Sequence, residues 1–179
     1  MNRTKKLTLS ALFLALGLVL PFLTGQIPQI GNMLLPMHIP VFFCGLICGG
    51  PCGLAVGVLT PLLRSVLFGM PPLVPTAFSM AFELGTYGLV SGLLYARTKK
   101  RGAAAVYMAM IPAMLAGRVV WGCVQALLLG LNGSALTMQM FLASAFLNAV
   151  PGILLQLILI PAVMAGLERA GAVPYQSRT

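Results

Sequence analysis

Residues 62–88 read LLRSVLFGMPPLVPTAFSMAFELGTYG. The stretch is almost wholly apolar, yet it carries Arg64 near its start and Glu83 near its end. At its middle, GMPP (69–72) holds two prolines that cannot continue a helix. It therefore reads as the end of one apolar helix, a break, and the start of the next. In both directions the same alternation of long uncharged runs with short Gly/Pro, polar or charged breaks extends along the chain.

The 179 residues are 59% hydrophobic and only 7% charged, whereas soluble domains carry roughly 25% charged residues. Uncharged runs of about 18–20 residues match the length a helix needs to cross the hydrocarbon core. The ten-residue alternation of a membrane barrel does not occur. The expected fold is all-α: a single integral membrane domain over residues 1–179, a bundle of six transmembrane helices near 7–24, 33–49, 51–69, 74–96, 104–129 and 140–167. The separating segments are GQIPQIGN (25–32), GGP (49–51), GMPP (69–72), ARTKKRG (96–102) and LNGSALTMQ (131–139). The second span is short and contains Pro40, which suggests an irregular outer end. The first apolar run, 7–23, lacks a small-x-small cleavage site and reads as a retained span rather than a signal peptide.

The net charge of +9 would point to nucleic acid on a soluble protein. Here the positions of the charges argue otherwise, and no nucleic-acid partner is expected. Arg3, Lys5 and Lys6 precede the first span, Arg97, Lys99, Lys100 and Arg101 lie between the fourth and fifth, and Arg169 and Arg178 follow the sixth. With six spans these three places share one side, and the positive-inside rule makes it the cytoplasm. Both termini are then cytoplasmic. The three opposite loops contain no Lys or Arg.

Arg64, Glu83 and Arg118 fall inside spans, in the outer half or near the middle. Helical spacing gives them company. Thr76, Met80, Glu83 and Tyr87 form one stripe on the fourth span; Arg118, Trp121 and Gln125 form another on the fifth. Thr60 and Arg64 are one turn apart on the third, as are Ser144 and Asn148 on the sixth. Hydrogen-bonding groups with an aromatic ring and apolar walls are what a small polar ligand requires. The competing account is an ion pair that holds helices together, with Glu83 neutralising one of the two arginines. The arginine left over would then favour a carboxylate or phosphate ligand, unless Arg64 snorkels to the outer surface. His38, in LPMHIP near the outer mouth, is either an interfacial polar residue or a ligand contact from a loop or helix start. Gln26, Gln29 and Asn32 form either a lid over the same mouth or an ordinary solvated loop.

Cys44, Cys48 and Cys52 repeat every four residues without neighbouring His or acidic ligands. Gly45, Gly49, Gly53 and Gly57 keep the same beat, as do Gly88 and Gly92, and small residues so spaced let membrane helices approach closely. Packing therefore accounts for the pattern, and neither a metal site nor a structural disulfide is expected. There is no phosphate-binding loop, no H-E-x-x-H, no G-x-S-x-G and no cluster of acids. With two acids and one histidine, enzyme chemistry has few candidate groups, and no cofactor is expected. An intramembrane enzyme would have to use Glu83 as its general base.

The first span, LTLSALFLALG, carries an A-x-x-x-A pattern at Ala11 and Ala15. With the later segments LLPMHIPVFFCGLICGGPCGLAVGVLTPLLRSVLFGMPP and AFELGTYGLVSGLLY, it resembles the substrate-binding S components of energy-coupling factor (ECF) vitamin transporters. The resemblance covers nearly the whole chain. It implies a bacterial plasma-membrane protein that captures a vitamin or related micronutrient at the outer face. It also implies a membrane coupling protein packed on Ala11 and Ala15, two cytoplasmic ATPases as partners, and toppling of the S component to carry its ligand inward. The spare arginine leans toward a carboxylate such as pantothenate; Trp121 and Tyr87 would equally stack on a flat ring, as in riboflavin, pyridoxine or a pyrimidine. By placement and chemistry, the substrate-contact candidates are Asn32, His38, Arg64, Glu83, Tyr87, Arg118, Trp121, Gln125 and Asn148. The alternative is a helical accessory or assembly protein that binds no small molecule; a solitary facilitator is a further one.

Overall fold

The computed structural model describes residues 1–24, 34–98, 102–131 and 149–171. Among them the regular secondary structure is all helix, without a strand. The α-helices among the described residues are α1 (Arg3–Val19), α2 (His38–Cys48), α3 (Gly50–Phe68), α4 (Phe78–Arg97), α5 (Ala103–Leu131) and α6 (Val150–Arg169). A 3-10 turn, Leu20–Thr24, extends α1, and a π-turn, Leu73–Ala77, leads into α4. Among the described residues five helical segments, all but α2, are long and apolar enough to cross a membrane, making this a multi-pass membrane protein.

The breaks fall where the sequence chemistry places them. Gly49 has φ 98°, a conformation that favours glycine, and lets α2 end at Cys48 while α3 begins at Gly50 with Pro51 in its first turn. Gly69, at φ 70°, closes α3 with its N–H on the Ser65 carbonyl. Pro40 lies in the first turn of α2, where a missing N–H breaks no helical bond. The described part of the second span is thus a helix of 11 residues, shorter than expected at its outer end. Proline also lies within α6, at Pro161, which cannot donate to the Leu157 carbonyl one turn back. The Tyr107 hydroxyl of α5 takes up that carbonyl at 2.9 Å, so the break in one helix becomes a tie to its neighbour.

Helix α4 is the centre of the bundle. Its most apolar window is 56% buried, against 17% for α1. The close approach depends on the glycines singled out by their spacing. A Cβ on Gly88 would lie against the backbone of Gly53, one on Gly57 against the Leu84 carbonyl, and one on Gly92 against Gly50. Two apolar clusters flank this seam. One joins Phe42, Tyr87, Met110, Ile160 and Met164; the other joins Phe13, Val41, Cys44 and Leu84. Cys44, Cys48, Cys52 and Cys123 are free thiols, and the Cys44 thiol donates to the Ser10 hydroxyl at 3.6 Å.

Candidate functional site

Glu83 lies on the second turn of α4 and is 2% exposed. One of its carboxylate oxygens, Oε1, gathers three neighbours. Arg118 Nη1 of α5 donates to it at 2.9 Å, and the Tyr87 hydroxyl, one turn along α4, donates at 2.8 Å. His38 Nε2, from the first residue of α2, stands 3.8 Å away, an electrostatic neighbour rather than a hydrogen-bond partner. The His38 ring also lies 5.3 Å from that of Tyr87, which stacks on Phe42 at 5.2 Å. His38 is buried, at 1% exposure.

Gly117 makes room for this arrangement, since a Cβ there would collide with the Tyr87 ring. A buried carboxylate is tolerable only with a paired cation and hydrogen bonds, and α5 supplies the cation from the residue after that glycine.

Arg64 stands apart from this cluster. It is 3% exposed, and its Nη1 donates to the Leu18 carbonyl at 2.6 Å. That carbonyl belongs to the last turn of α1, whose terminal acceptors need partners and whose dipole favours a cation. The guanidinium also lies 4.9 Å from the Phe22 ring centroid and 5.5 Å from that of Phe68. The surplus positive charge is thus spent on the α1 terminus. Arg64→Met should lower the unfolding midpoint, corresponding to about 1.5–3 kcal/mol for a charged hydrogen bond. Ligand affinity should change by less than about threefold, a shift under 1 kcal/mol; titration of purified variant against wild type checks this.

A cavity of about 270 Å³ opens beside the cluster, between α5 and α6, with Arg118 and Tyr87 in its wall. Leu35 contributes from the approach to α2 with a left-handed backbone, φ 50°, unusual for a bulky residue. From α6 comes Gln156, which is fully buried; among the described residues neither its amide nitrogen nor its oxygen has a hydrogen-bond partner. Sequence reasoning missed Gln156. The signal was present: it is the single polar side chain within residues 150–167, and it falls eight residues, about two turns, after Asn148.

The remaining candidates divide. Gln125 is half-buried, and its Oε1 lies 2.5 Å from the Ser79 hydroxyl, whose one proton it shares with the Pro75 carbonyl at 2.8 Å. Trp121 is half-buried on the same helix. Asn32, Ser144 and Asn148, and the proposed lid residues Gln26 and Gln29, lie outside the described residues. Ala11 and Ala15 are exposed on α1, beside Leu12 and Leu16, on the side away from buried Phe13 and Gly17.

No curated protein and no solved structure matches the chain. A family model does, over residues 5–169, nearly the whole chain, and its description is "ECF transporter, substrate-specific component". That span takes in α1 with its two exposed alanines, the Glu83–Arg118 pair and Gln156. The chain belongs to the family of substrate-specific components of ECF transporters.

Proposed function

We propose that this protein captures a vitamin or related micronutrient at the outer face of a bacterial plasma membrane. It delivers its ligand inward with an ATP-driven module of one membrane coupling protein and two cytoplasmic ATPases. The observation that carries the reading is the family match together with a cavity walled by Tyr87, Arg118 and Gln156 beside a buried ion pair. The topology that goes with it has six spans and both termini in the cytoplasm, supported by the distribution of Lys and Arg. His38, Glu83 and Gln156, near the starts of α2, α4 and α6, and Arg118, in the second half of α5, then share the outer half of the membrane.

Residues Ala11 and Ala15 form the contact with the coupling protein. Both are exposed, on a helix that buries little of its own surface, and small residues allow close helix approach. Ala11→Leu with Ala15→Leu should leave ligand binding intact and abolish co-purification with the coupling protein. Retention of the partner by this double variant would displace the interface from α1.

The test of the whole reading is native mass spectrometry of the purified chain, with identification of any released molecule. A parallel assay measures uptake in cells with and without the ATPase partners. A bound small molecule and ATPase-dependent uptake are expected. An empty protein that no vitamin stabilises, in cells without uptake, would instead favour the accessory-protein account. Uptake that persists without any ATPase would favour a solitary facilitator.

A further inference from the structure

We propose that the end of the bundle carrying Arg3, Lys5, Lys6, Arg97 and Arg169 is a docking surface for anionic phospholipid headgroups of the adjoining leaflet. The inference stands apart from whatever the cavity binds and needs only that the chain spans a membrane. Charge is the first argument. The whole sequence holds two acids, Glu83 and Glu168, against 11 Lys and Arg. Glu83 is committed to Arg118 inside the bundle, and Glu168 accepts the Tyr95 hydroxyl at 3.0 Å. Among the described residues none of the five cations has an ion-pair partner. Arg3, Lys5, Arg97 and Arg169 are exposed, and Lys6 is half-buried. Nor do they serve the helix they start: three of them share the first turn of α1, which lacks an acid and whose dipole disfavours cations. The chain cannot balance this charge itself, so the counter-charge comes from outside it.

Placement is the second argument. The Ser10 hydroxyl meets the Cys44 thiol at 3.6 Å, which sets the start of α1 level with the end of α2. Gly50, just past that end, lies against Gly92 of α4, one turn and a half before Arg97. The bond from Tyr95 to Glu168 then joins the end of α4 to that of α6. Cations from three helices thus stand at one end of the bundle. They also come from different sides of it, since α1 packs on α2 and α3 while α6 packs chiefly on α5. A docked protein favours a compact patch on one face, whereas a leaflet meets the bundle all round.

Depth is the third. Exposed apolar side chains near this end mark where each helix leaves the hydrocarbon: Leu7 on α1, Leu93 on α4 and Val163 on α6. Arg3, Arg97 and Arg169 lie beyond them by about 6–9 Å along the helix axis, at about 1.5 Å per residue. The headgroup layer adds about 5–7 Å on each side of the hydrocarbon core, within reach of the flexible Lys and Arg stems. Clusters of about 4–8 Lys and Arg just outside a span attract anionic lipid, each cation contributing about fivefold to the association.

The experiment reconstitutes the full chain in phosphatidylcholine bilayers with a trace of spin-labelled phosphatidylglycerol or spin-labelled phosphatidylcholine. The fraction of each label immobilised at the protein surface is the readout. Phosphatidylglycerol should be preferred by about threefold or more, the per-cation effect averaged over all lipids at the surface. In about 1 M salt, where the Debye length falls to about 3 Å, more than half of that preference should vanish. The five-site variant Arg3→Gln/Lys5→Gln/Lys6→Gln/Arg97→Gln/Arg169→Gln should also lose more than half of it. Its unfolding midpoint in a neutral detergent should match wild type, because these side chains lie at the surface. Arg3→Lys/Arg97→Lys/Arg169→Lys should keep the preference, since a surface potential reads charge and not the shape of a guanidinium. The salt arm uses the wild-type chain alone and so still decides the matter if a variant inserts poorly. Equal immobilisation of the two labels, or a preference that keeps more than half its size in high salt or in the five-site variant, would overturn the proposal. Equal immobilisation, with a protein partner that wild type retains and the five-site variant loses, would overturn it in favour of an acidic protein face.

Discussion

Glu83→Gln is expected to destabilise the protein by about 3–5 kcal/mol, the cost of leaving a buried charge without its partner. The substitution keeps the shape of the side chain and removes the charge that Arg118 faces at 2.9 Å in a position 7% exposed. Arg118→Met should cost a similar amount, because it strands the carboxylate beside Tyr87 and His38. The double variant Glu83→Gln/Arg118→Met should recover most of that loss, since an ion pair replaced by uncharged groups of similar volume is often neutral in stability. Ligand binding should not recover with it. Unfolding midpoints of the four proteins in one detergent, and ligand titrations of the two that stay folded, make the comparison. A double variant that binds like wild type would place the ligand away from Arg118. Single variants as stable as wild type would mean that the pair is not shielded from water.

The second large effect lies far from any ligand. Gly88→Leu should cost about 3 kcal/mol or more, at the upper end for overpacking, and leave little folded protein. The reason is the nature of the neighbour. A side chain on Gly88 meets the Gly53 backbone, which has no rotamer to change. The matched control is Gly166→Ala on α6, exposed and with nothing near its Cβ position. There the gain in helix propensity should leave stability unchanged or raise it by about 0.5–1 kcal/mol. Folded yield by size-exclusion profile reads both. A monodisperse Gly88→Leu would show that α3 and α4 can separate without penalty.

Much of this architecture was legible in the residues because the breaks are local chemistry. Gly49 and Gly69 end helices through backbone conformations that depend on nothing distant, and the four-residue glycine beat of α2–α4 needs only a helix to become a smooth face. The stripe of Glu83 and Tyr87 was legible for the same reason, since four residues make one helical turn. The partner of Glu83 was not. Depth along the membrane normal admits both Arg64 and Arg118, and only the rotation of each helix about its axis separates them. That rotation is set by packing, such as Gly117 against Tyr87, and packing is written across elements rather than along one. His38 shows the same limit. Its sequence neighbours place it at the start of a helix, whereas its burial beside the Tyr87 ring comes from another element, α4. Gln156 is a lone polar residue in an apolar run with no polar companion one turn away, and the residues that line the same cavity, Arg118 and Tyr87, come from other helices.

Helix α1 is held to the bundle by small apolar contacts at Phe13 and Gly17 and by two polar pins at well-separated points, Cys44 to Ser10 and Arg64 to Leu18. Mechanically this makes α1 a handle riveted at its middle and near its C-terminal end. A pull on its exposed side is shared between α2 at one rivet and α3 at the other, and the bond to Leu18 loads the strong axis of α1, along its hydrogen-bond ladder. The weaker rivet is the thiol, so under rising load the joint fails first at Ser10 and last at Arg64.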